Sequence, residues 1–464
     1  MRTAAGSTLK SRHDIAKWNP EDAATWQPRQ AWLTLAITTS SLILGFMVWY
    51  LVSVLAPMLQ NAQILDKSQA FWLVAMTGLA GGLLRLVWMF LPPIMGTRRM
   101  VVWSTIALMV PMLGWAWVLT ASVETLQDSF AALMALAFLT GLGGAIFSGY
   151  MPSTSYFFPK SKQGLALGLQ AGIGNFGVAC VQLLTPLFVT VGLFGATINV
   201  AAAGAPAPKL VYLQSAPVFI LILLAITAVL AYVFLKSVPV KANFKQQFDI
   251  FRNQNTWLMT LIYLLTFGCY SGLAGTFALM MNQMLPAVPT IGWLGGVSIA
   301  FLGAFIGSFA RVLWGPLCDR FGGGVWTLVS CLGIAVSSLV VIVALQGGEL
   351  QLDVGSVLTA KSDLVFLAGM FSIFFFAGVG NAATFKQMPM IFPPRQAGGV
   401  IGWTAAIAAF GPFIFSATMN ALSGTSGNFG LKIIPVFVVV FVLAIVCAVI
   451  DWWFFARPNA KHKS

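Results

Sequence analysis

Twelve long apolar runs, at approximately residues 32–57, 69–92, 100–120, 129–156, 163–191, 213–235, 256–282, 290–316, 324–345, 363–392, 395–422 and 431–455, leave this chain few folds to choose from. Each is about as long as the ~20 residues a helix needs to cross a bilayer. Backbone in lipid must satisfy its own hydrogen bonds, so runs of this kind fold as helices. Composition agrees: of 464 residues 59% are hydrophobic and 8% charged, against roughly 25% charged in soluble domains. A water-soluble fold could not cover its surface with so few polar groups. The expected class is an all-α membrane protein of twelve transmembrane helices in two six-helix halves. The polar stretch ahead of the first run carries no cleavage-site pattern and is not read as a cleaved signal peptide.

The formal net charge is +13, which by itself could suggest a nucleic-acid partner. Its distribution points elsewhere. With the N-terminus taken as cytoplasmic, an even helix count puts the C-terminus there too. Only Lys67, Lys209, Lys361 and Lys432 then fall in outer segments, most other basic residues fall in inner ones, and the acids divide evenly. That is the positive-inside pattern. The excess reports topology in a cell (inner) membrane, with membrane lipid as surroundings and no nucleic acid. Cys180, Cys269, Cys318, Cys331 and Cys447 are scattered through apolar runs with no CxxC or metal-ligand spacing. They read as small packing residues, and no cofactor or metal is expected.

The chain repeats internally. Gly81, Arg85, Trp88 and Gly96 recur at one constant spacing as Gly307, Arg311, Trp314 and Gly322. Gly168, Ile173, Phe176 and Gly177 recur likewise as Gly402, Ile407, Phe410 and Gly411. The longest inner connection divides the repeats. The expected division is a cytoplasmic N-terminal segment 1–31, a first half 32–235, a linker 236–255, a second half 256–455 and a cytoplasmic tail 456–464. Two pseudosymmetric halves suggest a transporter handling its substrate between them near the midplane.

Arg85 and Arg311 lie inside apolar helices, where a charge costs ~2.5–3.5 kcal/mol on the gentler insertion scale. Snorkelling toward the headgroups is the plain explanation. Against it, Arg85 has no acid within helical reach, and its neighbours Gly81 and Gly82 allow close helix approach. Two guanidiniums turned inward suit a planar oxyanion, because each donates in a fork and stays charged. No acid falls mid-helix, and His13 and His462 sit in the tails. Intramembrane carboxylates or histidines are the usual proton carriers. With none here, the bound anion would be the arginines' counter-ion, which favours obligatory exchange. Lys386, about six residues from a helix end, reads first as snorkelling and second as lining the anion path. Asn175 and Gln170 in the glycine-rich fifth helix need buried partners, and Asn175 is a candidate for the substrate path; its counterpart in the repeat is Ala409. Tyr263 and Phe267 share one face of the seventh helix, Tyr270 follows, and Phe147 lies among small residues of the fourth. Each of these also reads as packing or an aromatic belt.

Gly315-Pro-Leu-Cys-Asp319-Arg320-Phe-Gly322-Gly323 follows the eighth helix and is similar to the GxxxDRxGG loop of the major facilitator superfamily, with Asp319 and Arg320 as an expected conformational latch. Asp319 should pair with a neighbouring helix end or with Arg320. The copy after the second helix is degenerate, with Pro93 at the acid's place. The runs WNPEDAATWQ, SYFFPKSKQGLALGL, GIGNFG and WLMTLIYLLTFG, with the matched arginines, resemble the nitrate/nitrite porter (NarK-type) family of that superfamily. The resemblance implies that Arg85 and Arg311 clamp the anion, that Tyr263 donates to it, that Phe147 and Phe267 lie above and below it, and that Gly172, Gly174, Asn175 and Gly177 form a glycine-rich wall. Ala406, Ala408 and Ala409 depart from a more glycine-rich pattern, and Gln170 replaces an asparagine. The function implied is nitrate and nitrite transport by alternating access, as antiport by a monomer, with nitrate/proton symport the alternative. A receptor of the same fold would bind without turnover. An enzyme would need a nucleophile–base pair or metal cluster, and the residues for one are missing.

Overall fold

The computed structural model describes residues 14–460 and 464, apart from 16, 194, 196, 201–208, 239–247, 286–287, 292–296, 347–360 and 425–426. His13 and His462, and Lys241 and Lys245 of the expected linker, lie outside the described residues. Twelve helices are long and apolar enough to span a membrane: α1 Pro28–Asn61, α2 Lys67–Trp88, α3 Thr97–Val118, α4 Phe130–Ser155, α5 Lys160–Phe188, α6 Ser215–Phe234, α7 Gln254–Met284, α8 Phe301–Phe321, α9 Gly323–Gln346, α10 Ser362–Ile391, α11 Gln396–Ser423 and α12 Phe429–Ala456. Eleven begin within a few residues of the apolar runs. The eighth does not. Instead of starting near 290, α8 begins at Phe301, because Thr290–Ile291 and Val297–Ser298 pair as a short antiparallel ladder. Pro289 precedes that ladder, and proline disfavours continued helix. Apolar content alone could not separate these residues from the helix that follows.

Three helices are interrupted at the centre of the bundle. α4 breaks at Gly141, between Thr140 and Leu142. α11 breaks at Ala409 and Phe410. α7 carries a π turn over Leu264–Gly268. Such bulges insert a residue into the helical ladder and concentrate at functional sites.

Helices approach backbone to backbone where side chains are missing. A Cβ on Gly143 of α4 would lie 2.1 Å from the Gly45 carbonyl of α1. A Cβ on Gly378 of α10 would lie 2.1 Å from the Gly307 carbonyl of α8. In lipid, helix association depends on such close packing.

The two ends of the bundle are closed differently. At the end away from Pro28, polar bonds join the halves. Asn282 donates to Asn61 (2.9 Å) and Gln60 (3.3 Å), Gln283 donates to Gln60 (3.0 Å), and Asn420 donates to Ser68 (3.1 Å). Lys67 reaches the Gly424 carbonyl, and deeper in, Tyr50 donates to the Ser271 carbonyl at 2.9 Å. At the other end the 3₁₀ turn Phe248–Arg252 wedges aromatic side chains between the halves. Phe248 stacks on Phe90 of the first half and Phe251 meets Trp403 of the second, around an apolar cavity of about 160 Å³.

A segment before α1 straps the same end. Trp18 and Trp26 donate to the carbonyls of Tyr156 and Phe157, at 2.9 and 3.0 Å. The Glu21 carboxylate accepts from the backbone N–H of Lys160 at 2.8 Å. That N–H opens α5, whose N-cap, Pro159, offers no side-chain acceptor. Glu21 thus supplies the missing cap from elsewhere in the chain, where a negative charge also suits the helix dipole. Glu21→Ala should cost about 1 kcal/mol, the usual value of a lost cap, read as a small fall in melting temperature in detergent with anion affinity unchanged.

Candidate functional site

The side chain of Arg85 is fully buried in the bundle. Gly81 and Gly82 make room for this: a Cβ on Gly81 would strike the Trp49 indole and one on Gly82 the Phe410 ring. Trp49 is held by its own bond to the Thr77 carbonyl at 2.9 Å. The Arg85 guanidinium then lies over three rings, 4.9 Å from Phe147, 5.2 Å from Trp49 and 5.3 Å from Phe267. Its Nε donates to the Gly144 carbonyl and its Nη1 to the Ala405 carbonyl, both at 2.7 Å. Gly144 belongs to the first half and Ala405 to the second, so Arg85 bridges them. Nη2 has no partner.

Arg311 is 4% exposed and holds less. Its guanidinium lies 4.8 Å from the Phe385 ring, and neither Nη1 nor Nη2 has a hydrogen-bond partner. The two guanidiniums lie close enough to repel each other, and the Tyr263 phenol interacts electrostatically with both. Tyr263 is fully buried, and its hydroxyl stands beside the Arg311 guanidinium with no partner at hydrogen-bond geometry. Among the described residues the carboxylate–ammonium pair Lys386–Asp319 lies about two helical turns beyond Arg311 along α8, and it contains neither arginine.

Aromatic rings enclose this polar centre. Tyr263 stacks on Phe267 with centroids 5.4 Å apart and planes within 4°. Phe147 faces Phe267 at 6.5 Å, with 25° between planes. Since carbon atoms pack at ~3.5 Å, one flat layer needs only a slight opening between the last two rings. Phe385 touches both Phe147 and Tyr263. Beside them, Asn175 of α5 is fully buried with neither amide atom partnered, while its backbone carbonyl accepts from Tyr270 at 3.4 Å.

The structure thus brings Arg85, Arg311, Tyr263, Phe147 and Phe267 together, with Asn175 alongside. Gly172 and Gly174 serve helix contacts: a Cβ on Gly172 would meet Val312 at 2.6 Å and one on Gly174 would meet Leu42 at 2.5 Å. Gly172 therefore sets α5 against α8 next to Arg311. Gln170 is spent on structure, donating to Thr38 and Thr154, both at 2.9 Å. Two expectations change. Asp319 pairs with Lys386 of α10, not with a helix end or with Arg320, whose guanidinium stands over Phe321. Lys386 is therefore an ion-pair partner, which neither snorkelling nor path lining described. Asp451 of α12, although no acid was expected mid-helix, is fully buried and accepts from Gln387 at 2.9 Å. Helical periodicity could not show that, because its hydrogen-bond partner lies on α10. Phe385, Trp49 and the carbonyls of Gly144 and Ala405 were not singled out from sequence. Backbone acceptors leave no sequence signal, but Phe385 stands directly beside Lys386.

The Asp319–Lys386 pair is more than a third exposed on both sides, so its static worth is about 0–1 kcal/mol. Asp319→Lys should impair transport turnover, and adding Lys386→Asp should restore it; exchange rates of the single and double variants in liposomes would decide.

Two buried guanidiniums with no carboxylate partner among the described residues, in an interrupted twelve-helix bundle of two repeats, define a membrane carrier for a small anion-sized ligand more readily than any enzyme. The Major Facilitator Superfamily model matches residues 38–358. The chain is 47% identical over 456 residues to the probable nitrate/nitrite antiporter NarK2 of Thermus thermophilus, covering 96% of this chain and 97% of that one. It is 30% identical over 484 residues to the nitrate/nitrite transporter NarU of Escherichia coli (strain K12), covering 98% of each. The chain belongs to the nitrate/nitrite porter family of the major facilitator superfamily. Among solved structures, a D-xylose–proton symporter aligns with a TM-score of 0.65 at 14% identity, covering 94% of this chain and 98% of that one. A bacterial homologue of the lysosomal transporter Spinster, inward-facing and occupied, aligns at 0.60 and 14% identity, covering 92% and 97%. At that identity these two speak for the fold alone.

Proposed function

We propose that this protein exchanges nitrate for nitrite across a cell membrane by alternating access, holding the anion between Arg85 and Arg311. The observation that supports this reading is the set of buried donors without partners, Arg85 Nη2, Arg311 Nη1 and Nη2, and the Tyr263 hydroxyl, all borne by side chains that border the Phe147, Phe267 and Phe385 rings. Buried donors without acceptors are costly, and a planar oxyanion supplies the acceptors. Phe147 and Phe267 would cover its two faces. The anion would enter between the first half, 32–235, and the second, 256–455, with 236–255 linking them at the cytoplasmic side along with the segment 1–31 and the tail 456–464. Both termini are then cytoplasmic, and the end stitched by Asn282, Gln60 and Asn420 is the outer one. That end is closed here.

Exchange follows from charge. An empty site leaves two like charges buried and repelling, and a buried charge stripped of its partner costs ~3–5 kcal/mol. Reorientation is then favourable only with an anion aboard. In proteoliposomes, uptake of labelled nitrate should require internal nitrate or nitrite and should not respond to a pH gradient. Strong net uptake into anion-free liposomes driven by protons would overturn exchange in favour of symport.

Tyr263→Phe keeps the stack on Phe267 and removes one donor. It should weaken nitrate binding about tenfold, the value of one hydrogen bond to a charged group, as read by equilibrium binding to the purified protein.

A further inference from the structure

The unpartnered polar groups of the site extend to α10. Asn381 is 1% exposed, and neither its Oδ1 nor its Nδ2 has a partner. A primary amide brings two donors and an acceptor oxygen, so a dry, unpartnered one is rare in a native interior. Its neighbours fix its place. Phe385, one helical turn on, touches Phe147, Tyr263 and the Arg311 guanidinium. Phe374, two turns back, lies against Tyr270 and Gly303. Between them Gly378 meets the Gly307 backbone. Residues 374, 378, 381 and 385 thus form one stripe facing α8 and the site. α8 and α10 run in the same direction, so Arg311, one turn past Gly307, and Asn381, just under one turn past Gly378, lie at the same depth.

The halves differ at this position. Gly141, Gly143, Gly144, Met151 and Pro152 of α4 recur at one constant spacing as Gly378, Gly380, Asn381, Met388 and Pro389 of α10. Their contacts recur too: Gly141 meets the Gly81 backbone as Gly378 meets that of Gly307, and Gly143 meets Gly45 of α1 as Gly380 meets Thr266 of α7. In the first half this position is Gly144, whose carbonyl takes Arg85 Nε. In the second half it is Asn381. The half whose arginine leaves both Nη atoms free is the half that puts a side-chain amide there.

We propose that Asn381 contacts the transported anion and sets its selectivity: Nδ2 donates to an anion oxygen while Oδ1 accepts from the Arg311 guanidinium and orients it. This rests on the exchange reading above. Nitrate has three oxygens to satisfy and nitrite two, so the extra donor favours nitrate.

The test compares the full-length wild type with Asn381→Ala and Asn381→Asp, by equilibrium binding of nitrate and of nitrite to purified protein, with melting temperatures alongside. Asn381→Ala should weaken nitrate about tenfold and nitrite less, at an unchanged melting temperature. Asn381→Asp gives Arg311 a built-in counter-ion; it should stay folded and lose both anions. Wild-type selectivity in the alanine variant, equal losses for both anions with a lowered melting temperature, or nitrate binding retained by the aspartate variant would each overturn the proposal. If alanine prevents folding, the aspartate variant decides. Failure of the wild type itself to bind either anion would sink the exchange reading instead, which keeps the two apart.

Discussion

Lysine at position 311 is expected to weaken nitrate binding by about 100-fold or more while leaving the protein folded. Both terminal nitrogens of Arg311 lack protein partners, so their hydrogen-bonding capacity is available to a ligand. An ammonium cannot present two parallel donors. Losing one or two charge-assisted bonds, each ~1.5–3 kcal/mol, amounts to about two orders of magnitude in affinity. The same change at Arg85 should do something further. There, two of three nitrogens hold the Gly144 and Ala405 carbonyls across the halves, and Arg85→Lys frees both. Its melting temperature should fall along with affinity, whereas that of Arg311→Lys should not. Titrating nitrate against purified variants, with thermal unfolding in parallel, separates the two. Near-normal affinity in Arg311→Lys would remove the clamp.

Gly143→Ala is expected to be the most damaging single-methyl change in the first half. Its new Cβ would lie 2.1 Å from the Gly45 carbonyl and 2.8 Å from the Trp49 backbone nitrogen. Both are backbone atoms, so no rotamer can relieve the clash, and α1 and α4 must part. Overpacking of this kind costs ~1–3 kcal/mol, and more where nothing can yield. Trp49 and Phe147 sit beside this contact and cover Arg85, so anion affinity should fall with stability. Gly164→Ala is the control. Nothing lies within 4 Å of a Cβ there, and alanine is the better helix former by ~1 kcal/mol. That variant should melt at or above the wild-type temperature.

Helix number, the two-half plan and both arginines were legible in the chain, because hydropathy over ~20 residues and a charge inside such a run are strong local signals. The repeat added that Arg85 and Arg311 are equivalent, yet it could not show that they differ in partners. That difference depends on a carbonyl from α11, and carbonyls are the same at every residue. The start of α8 was misread because a ladder of two residues per strand is indistinguishable by hydropathy from the first turns of a helix. The π turn in α7 was invisible for a similar reason: it changes the ladder by one bond without changing composition. Asp451 shows the limit of counting residues from a helix end, since its burial and its bond from Gln387 depend on other helices. Asn381 does leave a signal in the chain. The glycine and Met-Pro matches between α4 and α10 place an amide where its counterpart is glycine.

The unlike closures at the two ends have a thermal consequence. Parting the end stitched by Asn282, Gln60 and Asn420 exposes amides and hydroxyls, which lowers heat capacity slightly, whereas parting Phe248 and Phe251 from Phe90 and Trp403 exposes apolar surface, which raises it. The two openings therefore carry heat-capacity changes of opposite sign. Aromatic closure weakens on cooling as the hydrophobic driving force fades, so a cold membrane biases the carrier toward opening on the linker side and a warm one toward the other. The balance between the two openings, and hence which half of the cycle limits turnover, shifts with temperature even if every contact to the anion stays the same.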